Sequence, residues 1–271
     1  MKDINHSFPQ LPENQYIIDT HCHLDMDAYY EDLKDVIDRA TRNKIKHIIT
    51  IGIDVLSSKN AVKIAQKHHP VFATIGVHPH EVDGLTDSDY TELATLYENH
   101  KKQVVGFGEI GLDYVKLHSE PTQQRYHFKR QLELACELQL PIIVHNREAE
   151  ADTLKILQAQ GNLPRGGVMH CFSGDQQFAT EIINLGMMIS IPGIVTFKNA
   201  TKLHDVVKNI PLEHMLIETD GPFLSPHPFR GKRNEPVNVL FTAATIAKLK
   251  NIDIEEVAQH TSSNATKLFN L

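Results

Sequence analysis

Near-continuous apolar, β-branched runs punctuate the chain at regular intervals. They read IIDTH near residue 17, HIITIGI near 47, VFATIGV near 71, VVGFGEI near 104, IIVH near 142, VMHCF near 168, MMISIPGI near 187 and MLIETD near 215. Hydrophobicity that is continuous rather than alternating is what a parallel strand covered on both faces requires. Between the runs apolar residues recur at helical spacing: Leu33, Val36, Ile37 and Ala40; Leu93, Leu96 and Tyr97; Phe128, Leu132, Ala135 and Leu138; Phe178, Ile182, Ile183 and Leu185. A thinner stripe, Ala200, Leu203, Val206 and Val207, lies between the last two runs. Eight runs at a mean interval of about 28 residues match the unit of a (β/α)8 barrel, in which about 250 residues make eight βα pairs. The expected fold is therefore α/β: a single TIM barrel spanning 1–271 as one domain, with 1–15 as an irregular extension.

Punctuation residues agree. Gly186 follows a helical stripe, and Ser119 stands two residues before Pro121, where a helix can begin. After the eighth run comes a loop over 221–236, rich in proline and basic residues, then a stripe of Val237, Leu240, Ala244 and Ala247. Asp253, with Glu256 three residues on, reads as a capping box opening a last helix.

Composition changes the picture in three places. The net charge of -7 speaks against a surface that holds duplex DNA by charge alone and confines any nucleic-acid contact to a local site. The polar N-terminal stretch holds no apolar run long enough for a signal peptide or a membrane span, so a cytoplasmic protein with no membrane contact is expected. Cys22, Cys136 and Cys171, an odd number without CxxC spacing, fit a reducing compartment and read as small buried hydrophobes.

In a barrel of this kind the C-terminal ends of the strands carry the chemistry. Those ends hold His21 and His23, His78 and His80, Glu109, His145, His170 and Asp220, so six of the 17 histidines fall on one rim. A lone histidine at a strand end is more often hydrogen-bonded or exposed than a ligand, but six on one rim reverse that balance. On β-strand alternation Asp19, His21 and His23 share a face and Cys22 points the other way. Four imidazoles and two carboxylates suit two divalent ions sharing a bridging carboxylate, an arrangement that can clamp both oxygens of a phosphoester displacement. His6, His47, His68, His69, His100 and His260 fall in tails, strand starts or helices and read as surface residues.

The stretches IIDTHCHLD, TIGVHPH, GEIGLDY, LPIIVHNRE, HCFSG, LIETDGPF and RGKRNEP, in this order, resemble the TatD family of metal-dependent DNases and hydrolases, relatives of the amidohydrolases, from Ile17 to Leu271. The resemblance implies one metal held by His21, His23, Glu109 and Asp220 and a second held by Glu109, His145 and His170, with Glu109 as the bridge. Two divalent ions, Mg, Mn or Zn, are the expected cofactors.

Such ions lower the pKa of bound water and polarise a phosphoryl oxygen. Asp220 is the expected base for that water, and Glu218, two residues earlier, is expected to hold a ligand by hydrogen bonding. For the substrate phosphate the candidates are Arg233, gripping it bidentately, Lys232, His78, Arg147, and Ser173 with Gly174 at a helix start. The leading expectation is a metal-dependent phosphodiesterase acting on single-stranded DNA ends, with nucleic acid as substrate and no obligate protein partner. A second reading keeps the site and changes the bond to another ester or an amide, as in aminoacyl-tRNA deacylation; the basic RGKR loop favours phosphate. A third, a catalytically silent metal-holding protein, does not account for the complete ligand set.

Overall fold

The computed structural model describes residues 7–271. Eight strands, β1 (Ile17–Cys22), β2 (Ile45–Thr50), β3 (Val71–Ile75), β4 (Val104–Asp113), β5 (Ile142–Arg147), β6 (Gly167–Met169), β7 (Met187–Ile191) and β8 (Met215–Ile217), pair in chain order into one parallel sheet. Helices α1 (Leu33–Arg42), α2 (Val55–Lys67), α3 (Asp87–Asn99), α4 (Pro121–Glu137), α5 (Glu150–Gln160), α6 (Gln176–Asn184), α7 (Thr201–Asn209) and α8 (Val239–Lys250) follow the strands in turn, and α9 (Ile254–Phe269) ends the chain. Every predicted run became a strand. The ring closes just beyond β8, where Asp220 N donates to His21 O at 2.9 Å and His23 N donates to Gly221 O at 2.7 Å.

Two apolar layers hold this (β/α)8 barrel together. Inside, Ile18, Ile49, Val105, Ile143, Val168 and Leu216 cluster with the half-buried Phe72 and Met188, one residue from each strand, and Leu268 and Phe269 at the end of α9 pack onto them. Outside, strand residues such as Ile17, Ile48, Phe107 and Ile142 meet Val36, Ala61, Leu93, Phe128 and Ile182 of the helices. The thin stripe between the last two strands is α7, burying Leu203, Val206 and Val207.

Helix ends follow the sequence signals with two adjustments. Pro121 takes the first helical position of α4, where its missing N–H costs nothing, but Glu120 is the N-cap and Ser119 Oγ donates instead to His80 O at 3.1 Å. Asp253 does precede α9, yet the expected capping box does not form; the Asp253 carbonyl accepts from Glu256 N and its side chain caps nothing. Residues 7–16 are irregular and packed on the barrel: Leu11 is buried, and Lys44 Nζ donates to Leu11 O and Pro12 O at 2.9 and 2.8 Å. His6 lies outside the described residues. Among them no helix is long and apolar enough to cross a membrane, and the three cysteines are free.

Candidate metal centre

Two β-bulges aim the central side chains. Asp19 pairs with Ile48 and Cys22 with Thr50, so β1 spends three residues where β2 spends two. Such a bulge breaks strand alternation and re-aims the side chains beyond it. The expectation that Asp19 shares a face with both histidines is therefore corrected: Asp19 accepts from Thr219 N at 2.9 Å and Thr219 Oγ1 at 2.6 Å, and burial pushes its carboxyl up to about 8. His21 Nε2 and His23 Nε2 instead meet at 3.3 Å. The second bulge lies on β4, where Phe107 and Ile110 pair with Ile142 and Val144. It turns Glu109 into the mouth while Glu109 N donates to Gly52 O at 3.0 Å. Gly111, at φ +142°, allows the close β4–β5 approach, since a Cβ there would overlap His145 O.

Glu109 is the hub. Its Oε2 lies 3.4 Å from His21 Nε2 and 3.9 Å from His23 Nε2, and Asp220 Oδ1 stands 3.7 and 3.4 Å from the same two nitrogens. Its Oε1 lies 2.7 Å from His145 Nδ1 and 2.8 Å from His170 Nε2, which are 3.3 Å from each other. Each carboxylate oxygen thus faces its own pair of imidazole nitrogens. Nitrogens about 2.1 Å from a shared tetrahedral cation stand about 3.4 Å apart, so both pairs have the spacing of metal ligands.

His21, His23 and Asp220 form one group close enough to share an ion, and Glu109 and His145 form another with His78. Hydrogen bonding argues for His170 over His78 in that second group. His80 N donates to His78 Nδ1 at 3.1 Å, so neutral His78 carries its proton on Nε2, and that atom can donate but cannot ligate. It faces Glu109 Oε1 at 3.4 Å, and burial brings its pKa down to about 4. His78 is a neutral donor at the edge of the cluster.

An acid stands behind each imidazole of the second pair, Asp113 beside His145 and Glu218 beside His170. Asp113 Oδ1 accepts from Val115 N and Lys116 N at 2.9 and 2.8 Å, while Oδ2 lies 3.3 Å from His145 Nε2 and 3.0 Å from His80 Nε2. A proton on His145 Nε2 leaves the Nδ1 lone pair directed at Glu109 and His170. Glu218 Oε1 accepts from Cys171 N at 2.7 Å and lies 3.4 Å from His170 Nδ1. Burial works to raise the Glu109 carboxyl, but His170, His78 and His145 hold it well below the carboxylate range. Burial likewise opposes the charged form of His170, and Glu109 and Glu218 overcome it to hold the imidazole well above its ordinary value. Asp113→Asn, keeping shape but not charge, is expected to weaken metal affinity roughly 10–100-fold, the usual cost of losing an outer carboxylate on a ligating histidine. Titration with Mn²⁺ or Zn²⁺ followed by calorimetry reads this directly, and unchanged affinity would show that Asp113 does not steer His145.

A cavity of about 590 Å³ opens over the cluster, lined by His78, Lys116, Arg147, Ser173, Asp220 and Phe223 among others. Arg147 and Lys116, both in that lining, make no ion pair among the described residues. Arg233 and Lys232, expected at the substrate phosphate, are not among the residues lining the cavity. Arg233 Nη1 and Nη2 grip Asp32 at 2.8 and 2.7 Å, Nη2 also donates to Glu235 at 2.9 Å, and the guanidinium lies over Tyr29 at 5.2 Å. Lys232 lies over Phe229 at 5.9 Å. Ser173 lines the cavity, and α6 behind it is capped by Asp175, whose carboxylate accepts from Phe178 N at 2.9 Å. Arg233→Ala is expected to lower the melting temperature by roughly 2–4 °C, as for a partly exposed bidentate pair, with little change in turnover. Melting curves beside steady-state rates check it; a large rise in KM at unchanged stability would return Arg233 to the substrate.

Sequence reasoning passed over Asp113, Lys116 and Phe223. The first and last stand inside GEIGLDY and LIETDGPF, so proximity to a ligand within a motif was the available signal; Lys116 carried none. His47, His68, His100 and His260 are half-buried and His69 is exposed, and none joins the cluster.

A parallel barrel whose mouth gathers imidazoles and acids within bonding reach of common points defines the class of metal-dependent barrel hydrolases. Comparison with known proteins narrows this. Residues 18–270 match the family described as TatD related DNase, and the chain belongs to that family. It is 43% identical over 255 residues to the uncharacterized metal-dependent hydrolase YabD of Bacillus subtilis, covering 94% of this chain and 99% of the relative. The uncharacterized metal-dependent hydrolase YcfH of Escherichia coli K12 is 36% identical, with 94% and 96% covered. The crystal structure of the TatD homologue YjjV from E. coli superposes with a TM-score of 0.89 at 31% identity, with 94% and 98% covered.

Proposed function

We propose that this protein hydrolyses phosphodiester bonds at single-stranded DNA ends using two divalent ions. The observation that carries the reading is Glu109, each of whose carboxylate oxygens faces a separate imidazole pair. His21, His23, Glu109 and Asp220 would hold one ion, and Glu109, His145 and His170 the other. When bound, the ions supply a water of near-neutral pKa and neutralise charge on the phosphoryl oxygens.

The chain's own residues do the rest. Asp220 turns Oδ1 to His21 and His23, and its second oxygen is the proton acceptor for the attacking water. His78 donates Nε2–H to a phosphoryl oxygen without adding charge. Arg147 and Lys116 hold the flanking phosphate at the mouth, the positions that the RGKR loop does not supply. Phe223, 48% exposed at the rim, offers a face on which an unpaired base can stack. The cavity volume falls within the usual range for small-ligand sites, roughly 300–1,000 Å³, which suits a strand end rather than a duplex.

Incubating purified protein with end-labelled single strands and with duplexes, in Mg²⁺, Mn²⁺ or Zn²⁺, tests the reading. Nucleotide release that prefers single strands and disappears in His145→Ala and Asp220→Ala is expected. Release that persists in either variant, or its absence with every metal, overturns it; turnover of carboxylic esters or amides, including aminoacyl-tRNA, in place of nucleotides would assign the site to those bonds.

A further inference from the structure

Outside the mouth, between α4 and α5, lies a second cavity of about 430 Å³ lined by Arg125, Lys129, Asp152, Lys155, Ile156 and Ala159. Three cations face one acid there, on a chain whose net charge is -7. Random placement on so acidic a protein would favour the opposite balance.

The groove is built rather than incidental. Arg125 Nη1 donates to Tyr114 Oη at 3.0 Å and lies 3.3 Å from Asp152 Oδ2, while Tyr114 Oη donates to Asp152 Oδ2 at 2.6 Å. One guanidinium is thereby fixed in place, and the lone acid is already engaged by two donors. Lys129 and Lys155 are exposed and make no ion pair among the described residues. On α4, Arg125 and Lys129 are four residues apart and so stand on the same face one turn apart.

The groove is tied to the mouth along the chain. Tyr114 directly succeeds Asp113, and both Asp113 and Lys116 line the mouth cavity. On the other side Arg147, also in that lining, ends β5 just before α5 begins at Glu150. Because helices in this barrel begin at the C-terminal rim, α4 and α5 run from the active face down the outer wall, with Arg125 in the second turn of α4 and Lys129 and Lys155 at mid-helix. Lys116 and Arg147 at the mouth and Arg125, Lys129 and Lys155 in the groove are thus carried by the same two βα segments, β4–α4 and β5–α5.

We infer that the α4–α5 groove binds the sugar–phosphate backbone of the nucleic-acid strand whose end occupies the mouth. A cationic groove with no base-reading donors holds phosphates and leaves sequence unread. The inference rests on the strand-end reading of the mouth and adds to it a second binding region several nucleotides away.

The test uses the full chain and a Lys129→Glu/Lys155→Glu variant, with melting curves to confirm folding. In chelator, where no turnover occurs, anisotropy of a labelled single-stranded 12-mer across a salt series reads binding alone. Affinity roughly tenfold or more weaker, with the slope of log K against log salt flattened by about 1.4, is expected for two lost phosphate contacts at about 0.7 each. With metal, the ratio of kcat/KM for the 12-mer to that for a dinucleotide is expected to fall by a similar factor. Equal strand affinity and equal salt slope in both proteins would overturn the groove assignment and leave its cations to an acidic protein surface or to solvent. No strand binding by the parent protein overturns it as well. Strand binding that the variant loses, in a protein that cleaves no phosphodiester, would keep the groove and discard the proposed reaction.

Discussion

Replacing Glu109 by glutamine is expected to remove at least one bound metal equivalent and cut turnover by roughly 10³-fold or more, the scale of losing a preorganised electrostatic group at a reacting centre. The change keeps the shape of a side chain that is only 4% exposed and removes its charge. An amide has one oxygen, so it can face one imidazole pair and must turn an NH2 group toward the other. Elemental analysis after desalting and hydrolysis assays give the result, and a variant that retains two equivalents with turnover within tenfold of the parent would place the bridge elsewhere. The metal-free protein offers a second check. Glu109 and Asp220 are held below their ordinary values, so their contribution to stability is present above the ordinary carboxylate pKa and is lost as pH falls through the lowered values. His145 and His170 are held above the ordinary imidazole value, so their contribution is full below about 6.5 and is lost as pH rises through the raised values. Melting in chelator should therefore weaken toward both ends of the range, and Glu109→Gln should flatten the profile.

Gly111→Ala is expected to be the most damaging single methyl group in the barrel. Its backbone sits at φ +142°, a conformation L residues avoid, and the added Cβ would overlap His145 O on the neighbouring strand. Neither element can yield cheaply, because Glu109 and Asp113 flank Gly111 on β4 and His145 is its partner on β5. Strain and overpacking together set a cost of about 3 kcal/mol or more. In a chain of this size that corresponds to a fall in melting temperature of roughly 6–12 °C. Gly84→Ala separates the two causes: it shares a positive φ, +84°, but nothing lies within 4 Å of its added Cβ. Its cost should stay near the 1–2 kcal/mol of a left-handed residue alone. Equal losses in the two variants would show that β4 and β5 can move apart at little cost.

The barrel was readable because parallel strands covered on both sides must be apolar along their length, and eight such stretches leave few alternatives. The imidazoles were readable because strand ends converge, so His21 and His170 could be brought together without knowing any distance. Other features depended on partners that sequence order hides. The partner that Arg233 of the RGKR run takes on Nη1 and Nη2 is Asp32, far earlier in the chain, which sequence order gave no means of pairing with it. The N-terminus of α6 is taken by the Asp175 carboxylate, a cap two residues past Ser173 that the HCFSG stretch does not include. Asp19 counted as a neighbour of His21 by alternation, and one extra residue in β1 removed it from the cluster. The Tyr114–Arg125–Asp152 triangle joins three segments, of which only Tyr114, at the end of GEIGLDY, falls within a motif.

Leu268 and Phe269 seal the cylinder beneath its metal-ligand mouth. Gly106 has no side chain where Ile143 and Phe269 already crowd the interior. A polymer therefore has no tunnel to travel through. Whatever enters the chamber must back out by the same door, so on the strand-end reading proposed above each cleavage would end with the shortened strand withdrawing, and a cargo gripped only at its tip would be released at every turn.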